Sequence, residues 1–230
     1  MTQHDSVQDM LSQTLQASDL SAKQKAVLRA SLTLFSKQGY DRTSTQDIAA
    51  LAGVSQGTVY KRYATKHDIL MALITPFFSE IIPKIAIDFT HTIQERHFPD
   101  FGDYLTFVVS DRLEFVIANR ELVRILIAEL FNDQHEASAI LAMMGRTAGK
   151  VSHDVTAVLA VYQRDGQLVD WPVPRIVRYV AAVVVSYALP RIVFDGHDGA
   201  LDVERSTREI VEFLIRGLSP EDSPVLGAQG

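Results

Sequence analysis

The stretch Lys37–Met71, KQGYDRTSTQDIAALAGVSQGTVYKRYATKHDILM, leaves its backbone few choices. Ser44-Thr45-Gln46-Asp47 fits the capping box, in which the first and fourth residues each satisfy the other's orphan backbone N–H and so open a helix. The helix runs on through Ile48, Ala49 and Leu51 to Ala52. Gly53 supplies the positive-φ residue that stops it abruptly, and Val54 turns back to plug the gap. Ser55 caps a second short helix carrying Gln56, Gly57, Thr58, Val59, Tyr60 and Lys61. Ala49 is small where two steeply crossing helices leave little room. Two short helices on a tight turn form a helix-turn-helix, which points to DNA.

Charge placement agrees with that reading. The chain carries a net −6, yet Ser21–Thr75 holds eight Lys or Arg against three acids, a net of +5. A basic module on an acidic body suits a protein with one face turned to phosphates. Cysteine is absent, which excludes a disulfide framework, a thiolate metal site and a cysteine nucleophile. The opening MTQHDSVQDM lacks the basic region and apolar core of a signal peptide. The longest apolar run, Val180–Leu189, is too short to span a bilayer, so no membrane partner and a cytoplasmic location are expected.

Residues 1–20 read as a flexible arm or a short extra helix behind a possible Ser6/Asp9 cap. From Ala22 the helical period is clear, with Ala26, Val27, Ala30, Leu34 and Phe35 on one face and Gly39 at the end. These residues are expected to floor a three-helix core with Ile48, Leu51, Val54, Val59 and Tyr63. Thr65-Lys66-His67-Asp68 repeats the capping box and starts a fourth helix, which Pro76 can kink and Pro83 is expected to end. Beyond it, Asp100–Ala118, Glu121–Phe131, Glu136–Arg164, Pro174–Phe194 and Val203–Leu218 all read as helix, with loops at 88–100 and 165–173. The expectation is an all-α chain: arm 1–20, DNA-binding domain 21–67, helical effector and dimerisation domain 68–218, and a disordered tail 219–230.

A recognition helix needs short polar side chains on base edges and anchors to phosphate at both flanks. Gln56 can pair bidentately with adenine, Thr58 offers a hydroxyl and a methyl, and Gly57 lets the backbone come close behind Ser55. Lys61 suits guanine or phosphate at the far end. Thr45 and Gln46 can hold a phosphate at the start of the preceding helix, and Tyr60 and Lys66 are placed to clamp the opposite strand.

With Leu34-Phe35, Gly39-Tyr40, Thr43 to Thr45, Asp47-Ile48-Ala49, Ala52-Gly53-Val54-Ser55, Gly57-Thr58-Val59-Tyr60, Tyr63 and Lys66, residues 22–75 resemble the TetR family of bacterial transcriptional repressors. Arg62 departs from the histidine, tyrosine or asparagine frequent there. The resemblance implies an Ω-shaped homodimer, double-stranded operator DNA as partner, and a small-molecule pocket in each C-terminal domain.

The sequence supports the dimer independently. Pro174–Phe194 is apolar nearly all round and Val203–Leu218 has bundle spacing, so Val180, Val184, Ile210 and Leu214 are expected at a four-helix interface. For the pocket, Tyr104, Phe107, Asp111 and Phe115 share one face, and Met144, Thr147 and Tyr162 can line a cavity for a largely hydrophobic effector. Asp111 is either a ligand group, favouring a cation, or a partner for a nearby arginine. No metal-ligand spacing, cofactor motif or catalytic order is visible, so neither a metal, a cofactor nor an enzyme is expected. Two alternatives remain: an architectural DNA binder without effector, and a helical enzyme retaining the helix-turn-helix as scaffold.

Overall fold

In a computed structural model, the described residues are 7–120, 122–125, 127, 138, 142, 155–193 and 202–221. They are helical with no strand among them. The helices are α1 (Val7–Ala17), α2 (Ala22–Gln38), α3 (Thr45–Ala52), α4 (Gln56–Tyr60) and α5 (Lys66–Pro76). A π turn over Phe77–Ile81 leads into α6 (Ile82–Glu95). Then come α7 (Phe101–Ala118), α8 (Val173–Val193) and α9 (Val203–Leu218), with further helical stretches at 122–125 and 155–164. The chain divides into two compact units: Met1–Ile85 with Glu121–Thr147, and Ala86–Arg120 with Ala148–Gly230.

In the first unit α2 is the spine, packed by α1, α3 and α5. Its capping box pairs Ser21 with Gln24, and Gly39 at φ 83° ends it. The core runs through Val27, Leu28, Ala30, Phe35, Ile48, Ala49, Val59 and Tyr63. Leu51, expected in that core, is instead 54% exposed. The buried stripe of α3 is centred between Ile48 and Ala49, and at 3.6 residues per turn Leu51 falls well round the helix from it. The segment before Ser21 takes the helical of its two readings over Val7–Ala17. Leu11 and Leu15 are buried against α2, α5 and the π turn, and the Lys25 ammonium donates to the Gln16 carbonyl at 2.6 Å. The Ser6/Asp9 cap lies outside the described residues.

The fourth helix does not stop at Pro83, and the expected loop at 88–100 shrinks to 96–100. After Pro76 the backbone relaxes into the π turn, where the Ile82 N–H donates to the Phe77 carbonyl. Pro83 therefore stands in the first turn of the next α-segment, the place where a missing N–H is tolerated. Helix resumes to Glu95, with Thr90 and Ile93 buried.

The second unit is built around α7, against which α8 and α9 both pack. Leu105, Val109 and Leu113 from α7, Ile176, Val184 and Ala188 from α8, and Ile210, Leu214 and Ile215 from α9 form its core. The 165–172 loop is pinned by the Gln163 amide, which donates to the Val169 and Trp171 carbonyls. Gln167 in turn accepts the first N–H of α7, from Phe101, at 2.7 Å. Half or more of Glu121–Phe131, nearly all of the 136–154 part of Glu136–Arg164 and the tail beyond Glu221 lie outside the described residues.

Candidate nucleic-acid interface

Local hydrogen bonds position the helix-turn-helix. The Ser44 hydroxyl accepts the Asp47 N–H at 3.1 Å, while the Asp47 carboxylate accepts the Ser44 N–H at 3.0 Å and its hydroxyl at 2.7 Å. Those bonds, the hydroxyl's first, hold the Asp47 carboxyl below its ordinary value. Gly53, at φ 66° and ψ 32°, closes α3 by donating to Ala49 and Ala50. The Val54 N–H also reaches the Ala49 carbonyl at 3.1 Å. Ser55 then accepts the Thr58 N–H at 3.2 Å, and the two hydroxyls meet at 2.9 Å. Five residues would not hold a helix alone; α4 is anchored by Val59, which is fully buried.

That anchoring turns the expected contact residues outward. Gln46, Ser55, Gln56, Gly57, Tyr60 and Lys61 are exposed, and Thr45 and Thr58 are half-buried. Among the described residues, neither Gln56 nor Lys61 has a side-chain hydrogen bond or ion pair with the protein. A Cβ built on Gly57 would meet nothing nearer than the Ser55 hydroxyl at 3.9 Å. The protein itself gives no reason for a glycine there, whereas a close-lying partner would. The Tyr60 hydroxyl meets the Thr45 hydroxyl at 2.9 Å, tying the end of α4 to the start of α3. Lys66 is the exception: its ammonium turns inward, donating to the Tyr40 carbonyl at 2.9 Å and lying 4.1 Å from the Tyr40 ring centroid.

The residues expected around an effector fall into three groups. Tyr104, Phe107 and Tyr162 join Phe89, Phe98 and Phe101 in one aromatic cluster, with Tyr104–Tyr162 centroids 5.5 Å apart and Phe89–Phe107 at 5.9 Å. Burial, with Tyr162 adding to it, pushes the Tyr104 phenol far above its ordinary value. Asp111 takes the second of its two readings, paired with Arg112. The Arg112 guanidinium also lies over the rings of Phe89, 3.9 Å from its centroid, and Phe115, at 5.4 Å. Met144 and Thr147 lie outside the described residues. A separate open groove of about 770 Å³ runs between α7 and α9, lined by Thr106, Ser110, Glu114, Thr207, Arg208 and Glu212 among others, and none of the expected effector residues borders it. Among the described residues no group of three His, Asp or Glu is placed to hold a metal.

The expected dimer residues need correcting. Val184, Ile210 and Leu214 are 2–3% exposed within the single chain and so have no surface left for a partner; Val180 is half-buried. Among the described residues, the large apolar side chains these helices leave open are Val177, Tyr179, Val185 and Leu189 on α8 and Phe213 on α9, the last 65% exposed. Sequence spacing gave the apolar character of both helices but could not say which stripe faced α7.

Comparison with known proteins places these observations. Residues 27–73 match the family described as bacterial regulatory proteins, tetR family. An uncharacterized HTH-type transcriptional regulator of Bacillus subtilis, YvdT, is 31% identical over 34% of this chain and 48% of its own. A second from that organism, YuxN, is 29% identical over 27% of this chain and 22% of its own. The chain thus matches a fifth to a half of these relatives' length. Among solved structures, Bacillus subtilis FadR in complex with stearoyl-CoA superposes with TM-score 0.56 at 17% identity, covering 84% of this chain and 97% of that one. Thermus thermophilus FadR, a repressor in complex with lauroyl-CoA, gives 0.56 at 18%, covering 87% and 97%. A chain from Saccharomonospora viridis in complex with choline gives 0.60 at 15%, covering 86% and 98%. At such identities these structures establish the shared fold: an N-terminal helix-turn-helix followed by a helical domain.

Proposed function

The chain belongs to the TetR family of bacterial regulatory proteins, and from that premise we propose that it is a dimeric, ligand-released repressor acting in the cytoplasm. Residues 21–67 form the DNA-binding domain and 68–218 the effector and dimerisation domain. The observation that carries the reading is α4: a capped, anchored helix whose Gln56 and Lys61 side chains have no partner among the described residues and whose Gly57 is open to close approach. Gln56 and Thr58 read base edges, and Lys61 sits on guanine or phosphate. Thr45, Gln46, Ser55 and Tyr60 fix the backbone register.

One recognition helix discriminates sites poorly, so two are needed. The run Val173–Pro190 is long and apolar enough to cross a membrane, yet only 22% of it is buried in the chain. A second copy, packing α8 and α9 through Val177, Val185, Leu189 and Phe213, covers that face and sets two α4 helices about 34–36 Å apart for successive major grooves.

The effector is a small, largely hydrophobic molecule. The Asp111–Arg112 pair removes the reason to favour a cation, and the acyl-CoA complexes of the two FadR neighbours make a long-chain acyl-CoA the first compound to try. Lys66–Glu95 is a single helical run from the DNA-binding unit into the second unit. An effector that shifts it changes the separation of the two heads, and strong release requires a preference of a few kcal/mol for the DNA-incompetent form.

In vitro selection from random duplexes tests the first half: a pseudo-palindrome with half-sites about 10 bp apart should emerge, and a pool without enrichment defeats the reading. Adding lauroyl- or stearoyl-CoA should then release the selected duplex and raise Tm. A gel shift indifferent to every compound tried favours an architectural binder.

A further inference from the structure

Lys66 occupies the first turn of α5, just after its cap Thr65. A cation is poorly placed there, because the helix dipole is positive at that end. The structure explains why it is nonetheless there. The Lys66 Nζ donates to the Tyr40 carbonyl at 2.9 Å, lies 3.5 Å from the Asp41 carbonyl, and stacks over the Tyr40 ring. Tyr40 in turn meets the buried Phe35 edge-on, with centroids 5.1 Å apart. The ammonium is therefore held against the turn between α2 and α3 by two acceptors and an aromatic face.

That turn decides where α3 begins. Gly39 enters it at φ 83°. The Thr43 N–H donates to the same Tyr40 carbonyl at 3.1 Å, and the buried Thr43 hydroxyl donates to the Gly39 carbonyl at 2.8 Å. Ser44, the cap of α3, is the next residue. From α3 the register passes to α4 through the Gly53 closure and the Thr45–Tyr60 hydroxyl contact. Lys66 thus acts at the root of the chain of contacts that aims the recognition helix.

We propose that Lys66 is a positioning residue for DNA recognition, bracing the α2–α3 turn from the start of α5, and that it does not contribute a phosphate contact. Its charge is used on carbonyl oxygens within the protein; Lys61 is the cation that meets DNA. This inference rests on the DNA-binding reading above and replaces the clamping role that the sequence alone suggested for Lys66.

Two measurements separate the roles. The first is affinity for the in vitro selected duplex as a function of salt, for wild type, Lys66→Ala, Lys66→Met and Lys61→Ala. A lost phosphate contact flattens the slope of log K against log salt by about 0.9, so Lys61→Ala should flatten it. Lys66→Ala should bind about tenfold more weakly, the scale of one lost charge-assisted hydrogen bond, on an unchanged slope. Lys66→Met, which keeps the stem over the Tyr40 ring, should recover part of that loss. The second measurement is hydrogen exchange without DNA: the Thr43 amide should exchange faster in Lys66→Ala and be unaffected in Lys61→Ala. A flattened slope in Lys66→Ala, or unchanged Thr43 exchange, overturns the proposal. A wild-type chain that enriches no duplex overturns the DNA-binding reading itself, whatever Thr43 does.

Discussion

The helix-turn-helix and the α7–α9 unit are both helical and well packed, but they are held together on different length scales. In the first, the bonds that start each helix join residues three apart: Ser44 with Asp47, Ser55 with Thr58, Thr65 with Asp68. Longer-range contacts such as Lys66 to Tyr40 only set how those helices are aimed. In the second, the pinning contacts join distant segments: Phe101 to Gln167, Tyr104 to Tyr162, Val169 to Leu218. A locally specified element can present its outer face freely, because that face is not needed for folding. An element specified by distant packing commits its faces to its neighbours, and only the remainder is available for partners or ligands.

The sharpest way to break this contrast is to remove core side chains on each side. Ile48→Ala and Leu113→Ala each delete a side chain that is completely buried. Both should cost about 2–5 kcal/mol of unfolding free energy, measured by urea denaturation. The contrast predicts that Leu113→Ala leaves DNA affinity of the folded fraction within about twofold of wild type per protomer, whereas Ile48→Ala weakens it as α3 shifts. Equal effects on DNA binding would show that the two units are not separable in this way.

Next in size is the open apolar face. Phe213→Asp places a charge at a residue that is 65% exposed in the single chain. Protomer stability should hardly change, while self-association should weaken by about 2 kcal/mol or more, as at an interface hot spot. Sedimentation at several concentrations reads this directly. If the wild type sediments as a monomer throughout, the Phe213 face is not a self-association surface, and the apolar run of α8 needs another cover.

The different length scales also explain what the sequence disclosed. The capping boxes at Ser44 and Thr65, the Gly53 stop and the Ser55 cap were legible because each is complete within a few residues. Leu51 and Pro83 were misread for the opposite reason. The stripe of α3 that is buried depends on where α2 lies, and whether Pro83 breaks a helix depends on the π turn that precedes it. The same limit applied to Val184, Ile210 and Leu214, since bundle spacing does not distinguish the face toward α7 from the face left open. The inward turn of Lys66 carried no sequence signal either, because a lysine after a helix cap is equally compatible with a phosphate. The pairing of Asp111 with Arg112 was open to a choice between two readings that only coordinates could make.

A smaller effect, of opposite sign in its two readouts, is expected at Gly57. Gly57→Ala should raise stability by up to about 1 kcal/mol, since alanine is the better helix former and no atom obstructs its Cβ. Binding to the selected duplex should nevertheless weaken, because the added methyl stands where the backbone is proposed to approach DNA. Thermal unfolding and anisotropy on the same preparation measure both. A more stable protein that binds as well as wild type would remove Gly57 from the interface.

The smallest effect is the most local. The Asp47 carboxyl is held below its ordinary value in the folded state by bonds from the Ser44 hydroxyl and N–H. In the unfolded chain it binds a proton more readily, so the unfolded state takes up more protons across the interval between the two values. Its contribution is therefore present above the ordinary aspartate range of about pH 4 and is lost as pH falls through the lower folded value. Asp47→Asn retains an oxygen to accept the Ser44 N–H but cannot titrate. The difference in Tm between wild type and Asp47→Asn should be small at pH 7 and should shrink as the buffer is taken below pH 4. Ser44→Ala, which removes the hydroxyl that is the main cause of the shift, should cost about 1 kcal/mol at pH 7 and abolish most of that pH dependence. If the difference between wild type and Asp47→Asn were instead constant with pH, the capping box would be acting through geometry alone, and a helix start legible from four residues would owe nothing to their charge.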